Sequence, residues 1–423
     1  MNERSFPNLG ETFFEERLPC GLLLRVTPKP DFSKTYAFLA ANYGAIDTRF
    51  YLNGRPRETP DGVAHYLEHK MFDMPQGNVM QEFTRLGGSP NAFTSYAMTA
   101  YHVQCTQRWE ENLTLLLQFV STPYFTEESV EKERGIIAQE IRMYEDNADS
   151  RMYENLFSIL YDHHPVRKPI AGTVESIAAI TPEILAECHR AFYDPANMML
   201  SVVGPVDPEG VADIAGQLLP KRDSAVSVSR DYGPPESPVP KEGRREARME
   251  VAMPGFTVGF PCAESANPLR QELAGDLAME LLVGESSALY TRLYEEGLID
   301  SDFSAGCEGV KTLAMLTAGG DSKDPDRVCE AILAEAARIG REGADPQLFE
   351  RLKRSAFGRR MRELDSFETI CFRMCQSHFD GTEYYDFPDL YRAITQEEVE
   401  NLLRTVVVPE RAAVSLIYPK GRA

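Results

Sequence analysis

At 423 residues, with 43% hydrophobic side chains and a mean hydropathy of −0.33, the chain is too long for one ordinary core, so two domains are expected. Its net charge of −21 excludes a nucleic-acid binder, whose phosphates demand a basic footprint, and no apolar run reaches membrane-spanning length. The first stretch, MNERSFPNLGETFFEERLP, lacks the apolar centre of a signal peptide, and the eight cysteines show neither zinc-ribbon nor dense disulfide spacing. A cytoplasmic protein with buried, reduced thiols is the expectation.

The first element with chemical content is His65-Tyr66-Leu67-Glu68-His69. On a helix, positions i and i+4 share a face, so both imidazoles can reach one ion, and Glu68 projects near the same edge. Neutral imidazole suits zinc, and a neighbouring carboxylate can take a proton from water activated there. Two ligands and a general base thus fit in five residues, in the inverted order H-x-x-E-H. The next stretch, Leu86 to Val103, reads LGGSPNAFTSYAMTAYHV: a turn punctuated by Gly87, Gly88 and Pro90, then a strand.

A zinc site needs a third protein ligand. The segment from Thr126 to Tyr144 predicts a helix, with Thr126 as cap, acidic residues in the first turn, and Val130, Ile136, Ile137 and Ile141 at helical intervals. Glu133 and Glu140, seven positions apart, share a face within roughly 20°, while about 10 Å of axial rise prevents both from reaching one ion. One is a ligand and the other supports the site; spacing leaves open which is which.

HYLEH followed by EKERGIIAQE resembles the zinc peptidases typified by pitrilysin, insulin-degrading enzyme and the mitochondrial processing peptidase, and most of all their half-size bacterial members that occur as unlike pairs. The resemblance implies His65, His69 and Glu140 as ligands of one zinc ion, Glu68 as catalytic base, and Glu133 as its supporting carboxylate. It implies that Asn91-Ala92-Phe93-Thr94 pairs with substrate backbone. It also implies an α+β fold of two related domains, each a mostly antiparallel sheet with helices packed on one face.

Further along, His163-His164-Pro165 reads as a structural loop, because no other ligand stands at useful spacing. His102 occupies a polar strand position, and Tyr96 and Tyr101 read as strand aromatics. The sequence then repeats itself. ITPEILAECHRAFYDPANMMLSVV from Ile180 matches ITQEEVENLLRTVVVPERAAVSLI from Ile394 without gaps, each a helix, a turn ending at proline and a terminal strand. The expected division is a zinc-binding domain over residues 1–218, a charged, proline-rich linker over 219–248, and a related domain over 249–423 for substrate enclosure and assembly.

The second copy lacks the motif: at the same offset His65, Glu68 and His69 fall on Met279, Leu282 and Val283. It also departs from the family, whose second domain carries an Arg and a Tyr in a segment like L-R-E-x-G-L-x-Y; here those positions are Tyr294 and Asp300. An ionised aspartate cannot donate to a developing oxyanion. The expectation is therefore a zinc metalloendopeptidase acting on peptides, catalytic subunit of a heterodimer whose partner supplies the Arg/Tyr pair, with a homodimer as the other arrangement. The competing class is a non-catalytic assembly subunit, which would need none of the motif residues.

Overall fold

The segment Thr35–Ala41 is apolar at nearly every position and buried at every one, which requires cover on both faces. The computed structural model of the chain, which describes residues 1–75, 77–219 and 226–421, shows what provides it. Seven strands from the N-terminal half form one sheet: β1 (Asn2–Phe6), β2 (Glu11–Arg17), β3 (Leu23–Pro28), β4 (Thr35–Ala41), β5 (Ser89–Thr94), β6 (Thr99–Cys105) and β7 (Met198–Gly204). Their order is β1-β2-β3-β7-β4-β6-β5, antiparallel except where β7 lies beside β3. A second sheet collects β8 (Arg244–Met249), β9 (Gly255–Pro261), β10 (Ser304–Val310), β11 (Leu313–Asp321) and β12 (Ala413–Pro419), ordered β8-β12-β9-β11-β10. Again a single neighbouring pair, β8 with β12, is parallel.

The first half supplies helices α1 (Val63–Met71), α2 (Trp109–Ser121), α3 (Glu127–Asp146), α4 (Ala148–Leu160), α5 (Pro182–Phe192) and α6 (Pro208–Leu218). The second supplies α7 (Pro268–Val283), α8 (Pro325–Glu342), α9 (Phe367–Phe379) and α10 (Gln396–Val406), among others. In the first sheet Leu24, Val26, Leu39, Tyr101 and Leu200 point into one core with residues of α1, α2, α3 and α5. The alternate positions Phe38, His102 and Ser201 face the opposite side. There α9 covers them: Cys371 lies 3.7 Å from the Ser201 carbonyl, and the Phe372 ring sits 5.9 Å from that of Phe93.

Two α+β domains are present, each with helices on one face as the sequence led us to expect, and each with an additional helix on the other. That additional helix is exchanged. Contacts divide the chain into one unit of residues 1–141, 168–232 and 361–379, and another of 142–167, 233–360 and 380–423. Helix α9 thus belongs with the first sheet, and α4 packs on β9 and β12 of the second. These units differ from the contiguous division at 218 and 249, because an amphipathic helix does not record which sheet its apolar face will meet.

The internal repeat is visible in the elements: α5 at 182–192 and α10 at 396–406 keep the same 214-residue offset. The segment read as a linker is more structured than its composition suggested. Val228–Arg230 forms a short strand beside Arg49–Leu52, and Arg244–Met249 is β8; residues 220–225 of that segment lie outside the described residues. β8 reads RREARM with alternating exposure, so its charges sit on an edge strand and disguised it as linker.

Candidate metal centre

Helix α1 carries the motif and starts abruptly. Gly62 precedes it with φ of 88°, and a Cβ at that position would lie 2.3 Å from the Ala171 carbonyl, so only glycine fits. Val63, Ala64, Tyr66, Leu67 and Met71 are buried in the core of the first unit. That leaves His65, Glu68 and His69 on the remaining face. His65 and Glu68 are nevertheless 7% and 8% exposed, so both are held in a site largely withdrawn from water. Beneath them Lys70 is fully buried and bonds Asp73 at 2.5 Å, which keeps its charge satisfied.

Helix α3 supplies the opposing wall. Thr126 Oγ1 accepts from the Ser129 amide at 3.2 Å, and Ser129 Oγ accepts in return from the Thr126 amide at 3.2 Å. Val130, Ile137 and Ile141 are buried and anchor the helix; Ile136, counted on the apolar stripe from spacing alone, is instead 48% exposed. The Tyr66 hydroxyl donates to the Val130 carbonyl and fastens α1 to α3. This pairing brings Glu133 and Glu140 onto the imidazoles.

Spacing alone did not distinguish the two carboxylates; their positions do. Glu140 presents Oε1 at 3.6 Å from His65 Nε2 and Oε2 at 3.4 Å from His69 Nε2. Glu133 reaches the far side of the second ring, with Oε1 at 2.9 Å from His69 Nδ1. One ligating atom from each of His65, His69 and Glu140 lies within 4.8 Å of the others, and among the described residues this is the one such group. The residues fit a zinc ion: ligands about 2.1 Å from a tetrahedral centre stand about 3.4 Å apart, and a carboxylate on the outer nitrogen is the usual support for a ligating histidine.

The electrostatics follow from this crowding. Burial pushes the His69 imidazole toward the neutral form, but the carboxylates of Glu133 and Glu140 reverse that and raise its pKa to about 10 in the metal-free protein. Burial raises the pKa of Glu68, opposed by the Thr94 hydroxyl and by the two imidazoles. The bond behind that opposition is direct: Thr94 Oγ1 donates to Glu68 Oε2 at 2.7 Å.

Asn91, Ala92, Phe93 and Thr94 all lie on β5, at the edge of the first sheet and paired with β6 alone. Ala92 packs toward the α1 side, and Thr94 reaches Glu68. Phe93 points away, against Phe38, His102 and Phe372. The link from the strand to Glu68 was missed in the sequence, where the only clue was that 92 and 94 alternate onto one face. Tyr101 is a core residue, its hydroxyl 2.7 Å from that of Tyr193. His102 Nδ1 lies 2.8 Å from the Tyr36 hydroxyl, and the backbone amides of His163 and His164 both donate to Glu236 at 2.6 Å.

In the second unit Met279, Leu282 and Val283 are buried in α7. Tyr294 is exposed, and Asp300 accepts from the Asp302 amide at 2.9 Å. A carboxylate at position 300 carries no donor for an oxyanion, and Tyr294 offers a hydroxyl where the family has a guanidinium.

Residues 53–174 match the family described as insulinase, peptidase family M16, and residues 179–356 match the M16 inactive domain. The uncharacterized zinc protease YmfH of Bacillus subtilis is 39% identical over 98% of this chain and 99% of its own length. An M16-like chain from Alicyclobacillus acidocaldarius superposes with a TM-score of 0.93 at 33% identity, covering 99% of this chain and 100% of that one. Pitrilysin shares the fold, with a TM-score of 0.74 at 16% identity over 97% of this chain and 45% of its own. With an inverted zincin helix, a glutamate-bearing partner helix and full-length similarity to a zinc protease, the chain belongs to the M16 peptidase family, in its half-size form.

Proposed function

We propose that the chain is a zinc-dependent metalloendopeptidase. The reading is carried by one observation: three ligating atoms converge from α1 and α3 while a buried carboxylate, Glu68, stands on the same face of α1. His65, His69 and Glu140 hold the ion, and Glu133 orients His69 through Nδ1. Bound zinc supplies Lewis-acid polarisation of the scissile carbonyl and of a water molecule. Glu68 accepts that water's proton on its carboxylate and passes it to the leaving amine nitrogen. Its elevated pKa suits a group that must take a proton and give it back. Thr94 fixes the orientation of Glu68 by holding Oε2.

The peptide binds as an extra strand along β5, with Asn91 to Thr94 as its backbone partners. An edge strand whose own residue bonds the catalytic base couples placement of the peptide to placement of the base. The metal site falls in the 1–218 half, and the 249–423 half serves enclosure and assembly. With Tyr294 and Asp300 where the family carries an Arg and a Tyr, a homologous partner chain supplies the Arg/Tyr pair in a heterodimer. All eight cysteines are free, which supports a cytoplasmic setting.

Glu68→Gln tests the reading. The variant should retain about one zinc per chain and lose 10²- to 10⁴-fold or more of peptide hydrolysis, as measured with and without a chelator. Full activity in that variant removes Glu68 from the reaction. The second reading, a non-catalytic assembly subunit, is favoured by the absence of the Arg/Tyr pair, whose positions hold Tyr294 and Asp300. It requires zinc-free protein that stays silent with any co-purifying subunit.

A further inference from the structure

The bend that follows α4 turns three successive backbone amides onto one carboxylate. The Asp162 amide donates to Glu236 Oε2 at 2.8 Å, and the His163 and His164 amides both donate to Oε1 at 2.6 Å. Successive N–H groups of this kind form a concave nest that holds anions. Asp162 brings a carboxylate of its own, but that group turns to Lys241 Nζ at 3.1 Å and His163 Nε2 at 3.3 Å, leaving the amides to Glu236. Nest and carboxylate both belong to the second unit.

The segment that carries Glu236 has no regular structure to hold it. Residues 233–243 form neither helix nor strand, and Pro234, Pro235, Pro238 and Pro240 offer no backbone donor. They lead into β8, which pairs with β12 alone, in parallel, and whose residues alternate between exposed and half-buried. An edge strand that buries so little gains little from its own side chains. Its approach is tied to the end of α4: the Glu242 amide donates to the Ile159 carbonyl at 3.0 Å, and Arg245 bonds Ser158 and, at 2.8 and 2.9 Å, Glu242. Glu236 adds three donors on one carboxylate, and charge-assisted bonds of that type are about twice as strong as neutral ones.

We infer that the bend after α4 is a carboxylate-binding site whose occupant is the chain's own Glu236, and that this clasp seats the proline-rich segment and, through it, β8 on the second sheet. A tethered carboxylate acts at an effective concentration that free anions do not match, so the site stays closed in the parent chain. Removing the side chain opens it to a free carboxylate. Whatever displaces Glu236 releases the first strand of the second sheet, which makes the clasp a point of control outside the metal centre. None of this depends on the metal or on peptide hydrolysis.

Full-length Glu236→Ala tests the clasp, with sodium acetate as the probe against chloride at equal ionic strength. In chloride, trypsin should cut the variant at Lys241, Arg244 and Arg245 about tenfold faster than the parent, and amides of β8 should exchange faster by a similar factor. Acetate should slow both toward the parent and shift the amide resonances of Asp162, His163 and His164, while the parent does not respond to acetate. Amides of β4 in the first sheet should exchange at the parent rate throughout. Glu236→Gln keeps a neutral oxygen for the nest and should fall between the two; it carries the comparison if the alanine variant does not melt cooperatively. Digestion and exchange at the parent rate in either variant overturn the clasp. Amides of Glu236→Ala that ignore acetate overturn the carboxylate site, and faster exchange spread equally over β4 overturns both.

Discussion

Glu133 and Glu140 share a residue type, a helix and nearly a face, yet they stand on opposite sides of one imidazole. If Glu140 is a ligand and Glu133 its support, Glu140→Gln should weaken zinc binding far more than Glu133→Gln, whose loss should be about 10- to 100-fold. Competition with a chromophoric chelator measures both, and the reverse ranking would exchange their roles. The raised pKa of His69 gives a second outcome at this scale. Its folded value is about 10 in metal-free protein, against 6.5 for an ordinary imidazole. Protonated His69 therefore stabilises the metal-free fold fully below pH 6.5, and the contribution fades as pH rises through 10. Thermal unfolding of the metal-free protein should show this loss, and Glu133→Gln should flatten it. Zinc binding near neutral pH should release a proton from His69, detectable as a buffer-dependent heat.

At the scale of elements, the site depends on where α1 begins and on what α1 and α3 share. Gly62 adopts a left-handed conformation against the Ala171 carbonyl. Gly62→Ala should destabilise the protein by about 2 kcal/mol or more and loosen zinc with it, since strain and clash act together. Chemical denaturation of metal-free and zinc-loaded protein would show it; an unchanged midpoint would mean that α1 can start elsewhere. The motif and the acidic pair were legible in the sequence because helical periodicity is local: His65 and His69 must share a face wherever α1 lies. The Thr94–Glu68 bond was not legible, since its partners lie 26 residues apart and meet only after β5 takes its place at the sheet edge. Ile136 shows the opposite error. Its spacing placed it in the core, but the buried stripe of α3 is narrow and runs through Val130, Ile137 and Ile141.

At the scale of the molecule, exchange of α4 and α9 makes the two halves of the chain interdependent. A fragment of residues 1–218 keeps every proposed zinc ligand but lacks α9, so Phe38, His102 and Ser201 lose their cover, while α4 is left without β9 and β12. Such a fragment should fail to unfold cooperatively and should bind a hydrophobic dye, whereas the full chain should do neither; calorimetry and dye fluorescence would decide. Supplying residues 219–423 in trans should restore cooperative unfolding. Two related halves were visible in the sequence from the repeat at 180 and 394, and their α+β fold was implied by the family resemblance. Their exchange was not, because composition and spacing describe a helix without naming the sheet beneath it.

By itself the sequence determined whatever is written in short-range periodicity: two imidazoles and a carboxylate on one turn, a pair of glutamates on another, a duplicated helix–turn–strand, and a second copy with methionine and valine where the two imidazoles would stand. Tertiary structure decided which glutamate faces both Nε2 atoms, which strand residue grips Glu68, and which half of the chain covers each sheet. The difference is physical. Helical and strand periods are fixed by backbone geometry within a few residues, whereas the meeting of α1 with α3 and β5, and of α9 with the first sheet, is set by which buried surfaces fit together across tens to hundreds of residues.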